Sequence, residues 1–311
     1  MIKDVLKLTD ELEAQLAALP AQADGADAVP TLRRAQLQRD RTELLASCTA
    51  LTAADKVYLA RHPRRPKVNE TIDALFTDFF EQRGDRQCRE DASILGGVAL
   101  YKGVPVTVLG HRKGADLQQN LKYNFGMPGP EGYRKALRLM KQAEKFGRPI
   151  ITLIDTPGAY PGMEAEERGQ GEAIARNLAE MSQLTVPVIA IVTGEGSSGG
   201  ALALGVADRV LMLENAIYSV LSPEGFASIL WKDAARHDEA CEVMKLTAQD
   251  LLGFGVIDEI IPEPLGGAQA DPPRLFAAME TALDKNLAAL RKTAPAALQA
   301  KRYKKFRQIG Q

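Results

Sequence analysis

Two short stretches gather the residue types that could do chemistry, and both are rich in glycine. Residues 194–200 read GEGSSGG and residues 155–162 read DTPGAYPG. Each follows an apolar run, residues 188–192 and 150–154, of the kind that forms a buried strand. Small apolar residues 201–206 then read as the start of a buried helix. A strand that breaks into glycines and restarts as a helix leaves backbone N–H groups unpaired, and those donors favour negative charge. Gly199 and Gly200 have no side chain to keep a ligand off the backbone. The stretch is suited to holding an anion, permanent or developing.

Three chemistries compete for such a loop. A nucleotide phosphate loop would end in Gly-Lys-Ser or Gly-Lys-Thr; neither occurs anywhere in the chain, which also empties the likeness of Asp155-Thr-Pro-Gly158 to a GTPase motif. A serine hydrolase would use Ser198, since Gly196-Ser-Ser-Gly-Gly200 meets the G-x-S-x-G spacing. Only His237 follows it, in a charged run that reads as a solvated helix face, whereas His62 and His111 precede it. Ser197 or Ser198 reads more simply as a helix cap. An oxyanion hole of backbone N–H groups is the third. If the two strands are neighbours, Gly158 or Ala159 and Gly199 or Gly200 can aim donors at one oxygen. Glu195 reads as structural, bonding a loop N–H. His111 reads as a structural histidine at a strand end rather than a general base, and Arg112 and Lys113 could meet phosphate or carboxylate.

The elements that position these loops follow from periodicity. Val5, Leu8, Leu12, Leu16 and Leu19 form one helical stripe, broken by Gly, Asp and Pro between Pro20 and Pro30. Thr31 reads as the cap of a second helix with Leu37, Leu44 and Leu51, which completes a helical hairpin. Its apolar face serves equally for packing on this chain or docking to a partner. Residues 61–67, RHPRRPK, read as a solvated basic linker. Asn69 caps a helix over 71–80 with Ile72, Leu75, Phe76 and Phe79 on one face. Residues 93–100 and 104–110 flank Lys102-Gly103 as a β-hairpin, and Tyr133, Leu137 and Met140 mark a helix ending at Gly147. Strand 150–154, helix 164–181, strand 188–192, helix 199–206 and strand 209–213 then alternate, which implies parallel strands. This pattern alone fits a doubly wound sheet or a β-β-α spiral. Ser222-Pro223 starts a helix to 231, 257–261 is a last strand, 272–290 a long helix, and 301–307 a basic, exposed tail.

Composition narrows the class. The chain has 311 residues and a formal net charge of −1, which gives no general attraction to nucleic acid. Cys48, Cys88 and Cys241 are far apart, so neither a zinc ribbon nor a disulfide framework is encoded. The charged N-terminus is neither a signal peptide nor a membrane span, and a cytoplasmic protein is expected.

Longer strings carry a family resemblance. Residues 124–140 (NFGMPGPEGYRKALRLM), 150–178 (IITLIDTPGAYPGMEAEERGQGEAIARNL), the GEGSSGGALA segment, 218–231 (YSVLSPEGFASILW) and 260–268 (IIPEPLGGA) resemble the α subunit of bacterial acetyl-CoA carboxylase carboxyltransferase. One departure stands out: Ser197 replaces a glycine of the usual GEGGSGG, while Gly199 and Gly200 remain. The resemblance implies an α/β, crotonase-like β-β-α spiral with an N-terminal helical arm, divided as arm 1–60, core 61–270 and C-terminal helix and tail 271–311. It implies carboxyl transfer from carboxybiotin, borne on a biotin carboxyl carrier protein, to acetyl-CoA, giving malonyl-CoA for fatty acid synthesis. Partners would be a β subunit in an α2β2 heterotetramer and biotin carboxylase in the full complex. Zinc would belong to a four-cysteine ribbon on the β subunit, with no metal in this chain. In this chemistry the biotin anion serves as base, so the loops matter more than acids. Gly158, Ala159, Gly199 and Gly200 would donate N–H groups to the biotin oxygen, with Gly196, Ser198 and Tyr160 lining its site. An enoyl-CoA hydratase or isomerase, or a non-catalytic scaffold subunit, are the other classes such a chain could fill.

Overall fold

The computed structural model describes residues 2–19, 28–48 and 50–310. The chain opens with α1 (Ile2–Ala18) and α2 (Ala28–Ala46), packed as a hairpin. The buried face of α1 is Ile2, Leu6 and Thr9, one step round from the expected stripe, and Leu8 is exposed. On α2 it is Leu37 and Leu45 rather than Leu44, and Thr31 lies inside the helix instead of capping it. The expected break falls on residues 20–27, outside the described residues, and ends before Pro30. Ile2, Leu6, Leu45 and Cys48 close on Leu59 of α3 (Ala53–Ala60), so this face packs on its own chain. α3 carries a capping box from Thr52 and Asp55.

The basic linker is not a solvated strip. Arg65 is buried and paired with Glu263, and it donates to the Thr193 carbonyl. A guanidinium has the fork of donors that such a junction requires. Next, α4 spans Val68–Leu75 with Lys67, not Asn69, at its N-cap. Phe76 turns extended and β1 (Thr77–Glu81) follows, where the sequence predicts helix. Thr and Phe suit a strand as well as a helix face, and pairing with β2 decides the matter.

β2 (Ile94–Tyr101) and β3 (Val104–His111) form the expected hairpin, antiparallel from Ile94 opposite His111 to Tyr101 opposite Val104. After α5 (Leu117–Lys122), α6 (Pro130–Lys145) buries Tyr133, Ala136, Leu139 and Met140 and stops before Gly147 at φ 65°. β4 (Ile150–Thr156) is buried along its whole length. The single helix expected over 164–181 is two, α7 (Met163–Glu167) and α8 (Gln170–Gln183), separated at Gly169 with φ 84°. β5 runs over Val188–Ser197, so the strand does not break at the first glycine but continues through Gly196. The helix after it, α9, is only Ser198–Leu202.

β6 (Arg209–Leu213) and β7 (Ile217–Ser219) precede α10 (Pro223–Trp231), whose start matches the expected Ser222 cap and Pro at N1. α11 (His237–Met244), α12 (Ala248–Gly253), β8 (Glu259–Ile261) and α13 (Pro272–Leu290) follow. The basic tail belongs to helix α14 (Pro295–Gln308); Lys301, Lys304 and Arg307 are exposed as expected, but Arg302 is buried against Asp208.

The sheet order is β1-β2-β3-β4-β5-β6-β8, with β7 also on β5. From β3 onward the ladders are parallel. The order never reverses, so the sheet is not doubly wound, a fold defined by its reversal. Ile151, Ile154, Ile189 and Ile191 are fully buried on the central strands; each such side chain stabilises the fold by about 1.5–3 kcal/mol.

Candidate active site

β4 and β5 are the adjacent strands that the loop reading requires, and both loops leave from their C-terminal ends. The Thr156 hydroxyl accepts the Gly158 N–H at 3.0 Å and donates to the Gly158 carbonyl at 2.8 Å. That clamp fixes Gly158 at φ 143°, a conformation that favours glycine. It also occupies the Gly158 N–H, leaving Ala159 as the available donor of that pair. Among the described residues, the Ala159 N–H meets no acceptor.

The second loop closes on the first. A Cβ built on Gly200 would stand 2.6 Å from the Ala159 nitrogen and 3.0 Å from the Tyr133 hydroxyl. Ser197 is the N-cap of α9 but its side chain caps nothing, and Ser198 sits at φ 54°. The expected serine cap is therefore absent. A left-handed serine is uncommon and strained; here it starts the turn that presents Gly199 and Gly200. The first N–H groups of this turn have no intrahelical partners.

Charged side chains support the loops from below. Lys113 Nζ lies 2.7 Å from Asp155 Oδ1 and 3.6 Å from Glu195 Oε2. Arg61 bridges Glu195 and Glu224, each at 2.7 Å. Glu195 thus pairs with side chains instead of bonding a loop N–H, and Lys113 meets a carboxylate of its own chain. Arg112 does likewise with Glu81 at 3.3 Å and stacks on Tyr123. Burial pushes the Asp155 carboxyl up, but Lys113 and the Glu195 N–H outweigh it and hold it below the usual carboxylate range. His111 is buried beside the Gly200 and Leu153 backbones, with neither ring nitrogen in a hydrogen bond of good geometry among the described residues. Burial pushes it down to about 4 against the pull of Asp155, so it is neutral near pH 7.

A cavity of about 340 Å³ opens beside Ser198 and Gly199, walled by Leu202, Tyr218, Val220 and Phe306. Gly200 abuts Gly158 and Ala159, and Gly199, its chain neighbour, lines this cavity. Gly196 is locked between Thr156 and Tyr218 in the sheet. Tyr160 faces a different cavity, with Arg89, Lys122 and Arg168. His237 pairs with Asp238 at 3.0 Å and lines a third, so Ser198 has no histidine following it in the same cavity. Sequence reasoning singled out Lys113 as a partner for a carboxylate but missed the roles of Asp155, Arg61 and Tyr133. The only local signal was a carboxylate ending an apolar strand at Asp155. Among the described residues no group of three or more His, Cys, Asp or Glu gathers as for a metal, and no helix is long and apolar enough to cross a membrane.

Comparison with known proteins fits this geometry. A family model described as acetyl co-enzyme A carboxylase carboxyltransferase-like matches residues 2–310. The acetyl-coenzyme A carboxylase carboxyl transferase subunit alpha of Geobacillus sp. (strain WCH70) is 54% identical over 311 residues, covering 100% of this chain and 90% of the relative. The subunit of that name from Bacillus cereus (strain G9842) is 60% identical over 257 residues, covering 83% and 79%. Among solved structures, the transcarboxylase 12S core with methylmalonyl-coenzyme A bound aligns with TM-score 0.58 at 22% identity, over 74% of this chain and 43% of that one. A Pseudomonas malonate decarboxylase hetero-tetramer in complex with coenzyme A aligns with TM-score 0.57 at 17% identity, over 68% and 84%. At these identities the likeness concerns the fold, which is the crotonase-like α/β spiral that the family resemblance implies. The chain belongs to the acetyl-CoA carboxylase carboxyltransferase alpha-subunit family.

Proposed function

We propose that this chain supplies the biotin half of a carboxyltransferase active site shared with a β subunit in an α2β2 assembly. The reaction moves a carboxyl group from carboxybiotin on the biotin carboxyl carrier protein to acetyl-CoA, giving malonyl-CoA for fatty acid synthesis in the cytoplasm. Biotin carboxylase recharges the carrier in the full complex, and a zinc ribbon belongs to the β chain. Carboxybiotin supplies CO2 and leaves negative charge on its ureido oxygen. The chain's task is then to hold that oxygen. Ala159 and Gly200 donate backbone N–H groups to it, with Gly199 beside them, while Gly158 shapes the first loop through Thr156. Each preorganised donor of this kind is worth about 2.7–4 kcal/mol in the transition state. Ser198 borders the approach, while Gly196 is held in the sheet and Tyr160 lines a separate cavity.

The observation that carries the reading is that Gly200 leaves no room for a Cβ against the Gly158–Ala159 backbone, so the two strand-end loops abut. The chain's nearby acids support it as well. Asp155 and Glu195 are buried in ion pairs, whereas a hydratase or isomerase needs acids free to meet the substrate carbons.

Gly200→Val tests this reading, because the side chain would displace the Ala159 backbone. The assembled α2β2 complex is expected to lose at least about 100-fold in transfer rate. Near-full activity in a folded heterotetramer would overturn the assignment and favour a scaffold role.

A further inference from the structure

The ends of β4 and β5 are out of step, and a buried ion pair fills the step. Ile154 pairs with Val192 and Thr156 with Gly196, so one residue, Asp155, faces three, Thr193, Gly194 and Glu195. Bulges of this kind re-aim a strand and occur beside active sites. Several polar groups of the bulge are held by side chains. Asp155 Oδ1 accepts the Glu195 N–H at 2.9 Å and Lys113 Nζ at 2.7 Å. Arg65 donates to the Thr193 carbonyl at 2.6 Å, and the Thr193 hydroxyl donates to the Ile154 carbonyl at 3.3 Å. Gly194 is the one residue type that fits, since a Cβ there would stand 2.5 Å from Asp155 Oδ1.

Asp155 is also joined directly to Thr156, whose hydroxyl clamps Gly158. One carboxylate thus governs both loops: Gly158–Ala159 through the chain, and the segment leading to Gly199–Gly200 through the bulge. An apolar pair of equal volume would often stabilise the fold as well as a buried ion pair does. It could not accept the Glu195 N–H.

We propose that Asp155, with Lys113 as its counter-ion, is the positioning residue that sets the β5 bulge, and with it the spacing at which Ala159 and Gly200 act on one oxygen. The inference rests on the function proposed above. The acceptor oxygen on residue 155 anchors the bulge, and Lys113 balances the charge of the carboxylate. Neither touches substrate.

Two double variants separate positioning from stability. D155N/K113M removes both charges but keeps an oxygen for the Glu195 N–H; D155A/K113M removes that oxygen as well. The readouts are reverse transfer from malonyl-CoA to biocytin in the α2β2 complex, and hydrogen–deuterium exchange of amides 195–200. D155A/K113M is expected to lose about 100-fold in kcat with the KM for malonyl-CoA unchanged within a factor of two, as a misplacement of about 1 Å would cause. Its amides 195–200 exchange faster. D155N/K113M is expected to stay within about 10-fold of the parent in kcat and to keep the parent exchange pattern. Equal kcat in the two variants, or unchanged exchange in D155A/K113M, would overturn the proposal. If D155A/K113M does not fold, Gly194→Ala makes the same test by displacing the carboxylate from the other side, with the same loss in kcat alone expected and a parental kcat overturning it. A parent complex that transfers nothing would sink the functional reading instead, and the exchange comparison would still decide the positioning role.

Discussion

Gly200 and Ala159 lie on different loops, yet a single carbon added to Gly200 would stand 2.6 Å from the Ala159 nitrogen. Gly199, its neighbour, has room: a Cβ there meets Ile174 at 3.5 Å, an ordinary contact. Gly200→Ala is therefore expected to lower unfolding stability by about 1–3 kcal/mol through overpacking, and Gly199→Ala to leave stability within about 0.5 kcal/mol of the parent. Denaturant titration of both variants checks this; equal losses would mean that the loops do not abut.

Thr156 makes two hydrogen bonds to Gly158 with one hydroxyl. Thr156→Val keeps the shape and removes both, which leaves a buried N–H and a carbonyl unmet at a cost of about 1–3 kcal/mol. Thr156→Ser is expected to recover most of that loss. Thermal melting of the pair reads the difference, and a serine variant as unstable as the valine one would show that the hydroxyl is not the clamp.

The sequence revealed the core strands, the β2–β3 hairpin and the starts of α10 and α13, because caps and apolar runs are local signals. It also identified both glycine loops. What it did not reveal depends on partners far along the chain. Arg61 reaches Glu195 across 134 positions and Lys113 reaches Asp155 across 42, and nothing in the intervening residues announces either pair. Within the exposed basic tail, Arg302 departs from the expectation for the same reason. The tail's composition suits solvent, but Arg302 finds Asp208 and three backbone carbonyls inside the protein. β1 was misread because Phe76 and Phe79 satisfy a helical spacing, and only the pairing with β2 selects the strand.

Arg302 and Asp208 are both buried, with Nη2 2.7 Å from Oδ2. Removing one partner strands the other charge. Arg302→Met is expected to destabilise the fold by about 3–5 kcal/mol, visible as a lower urea midpoint. A loss under about 1 kcal/mol, the size typical of exposed pairs, would show that α14 is not anchored there.

His111 gives the fold a pH dependence. Its pKa is lowered by burial to about 4, from 6.5 in the unfolded chain. A depressed value means that the unfolded state takes up the proton first as pH falls. The stabilisation is therefore full above pH 6.5 and is lost progressively towards pH 4, about 3 kcal/mol in all. His111→Gln is expected to lack that component. Stability curves measured from pH 7.5 to 4.5 compare the two, and parallel curves would mean that His111 does not titrate as buried.

Reverse transfer tests the shared-site function most directly. Malonyl-CoA and free biocytin are supplied to this chain alone, to the zinc-ribbon β chain alone, and to the two mixed. Transfer only in the mixture is the expected result, since this chain would hold the biotin oxygen and its partner the thioester. Transfer by this chain alone would place both oxyanion holes within it and contradict the division. A stable mixed complex with no transfer would contradict the enzyme reading altogether.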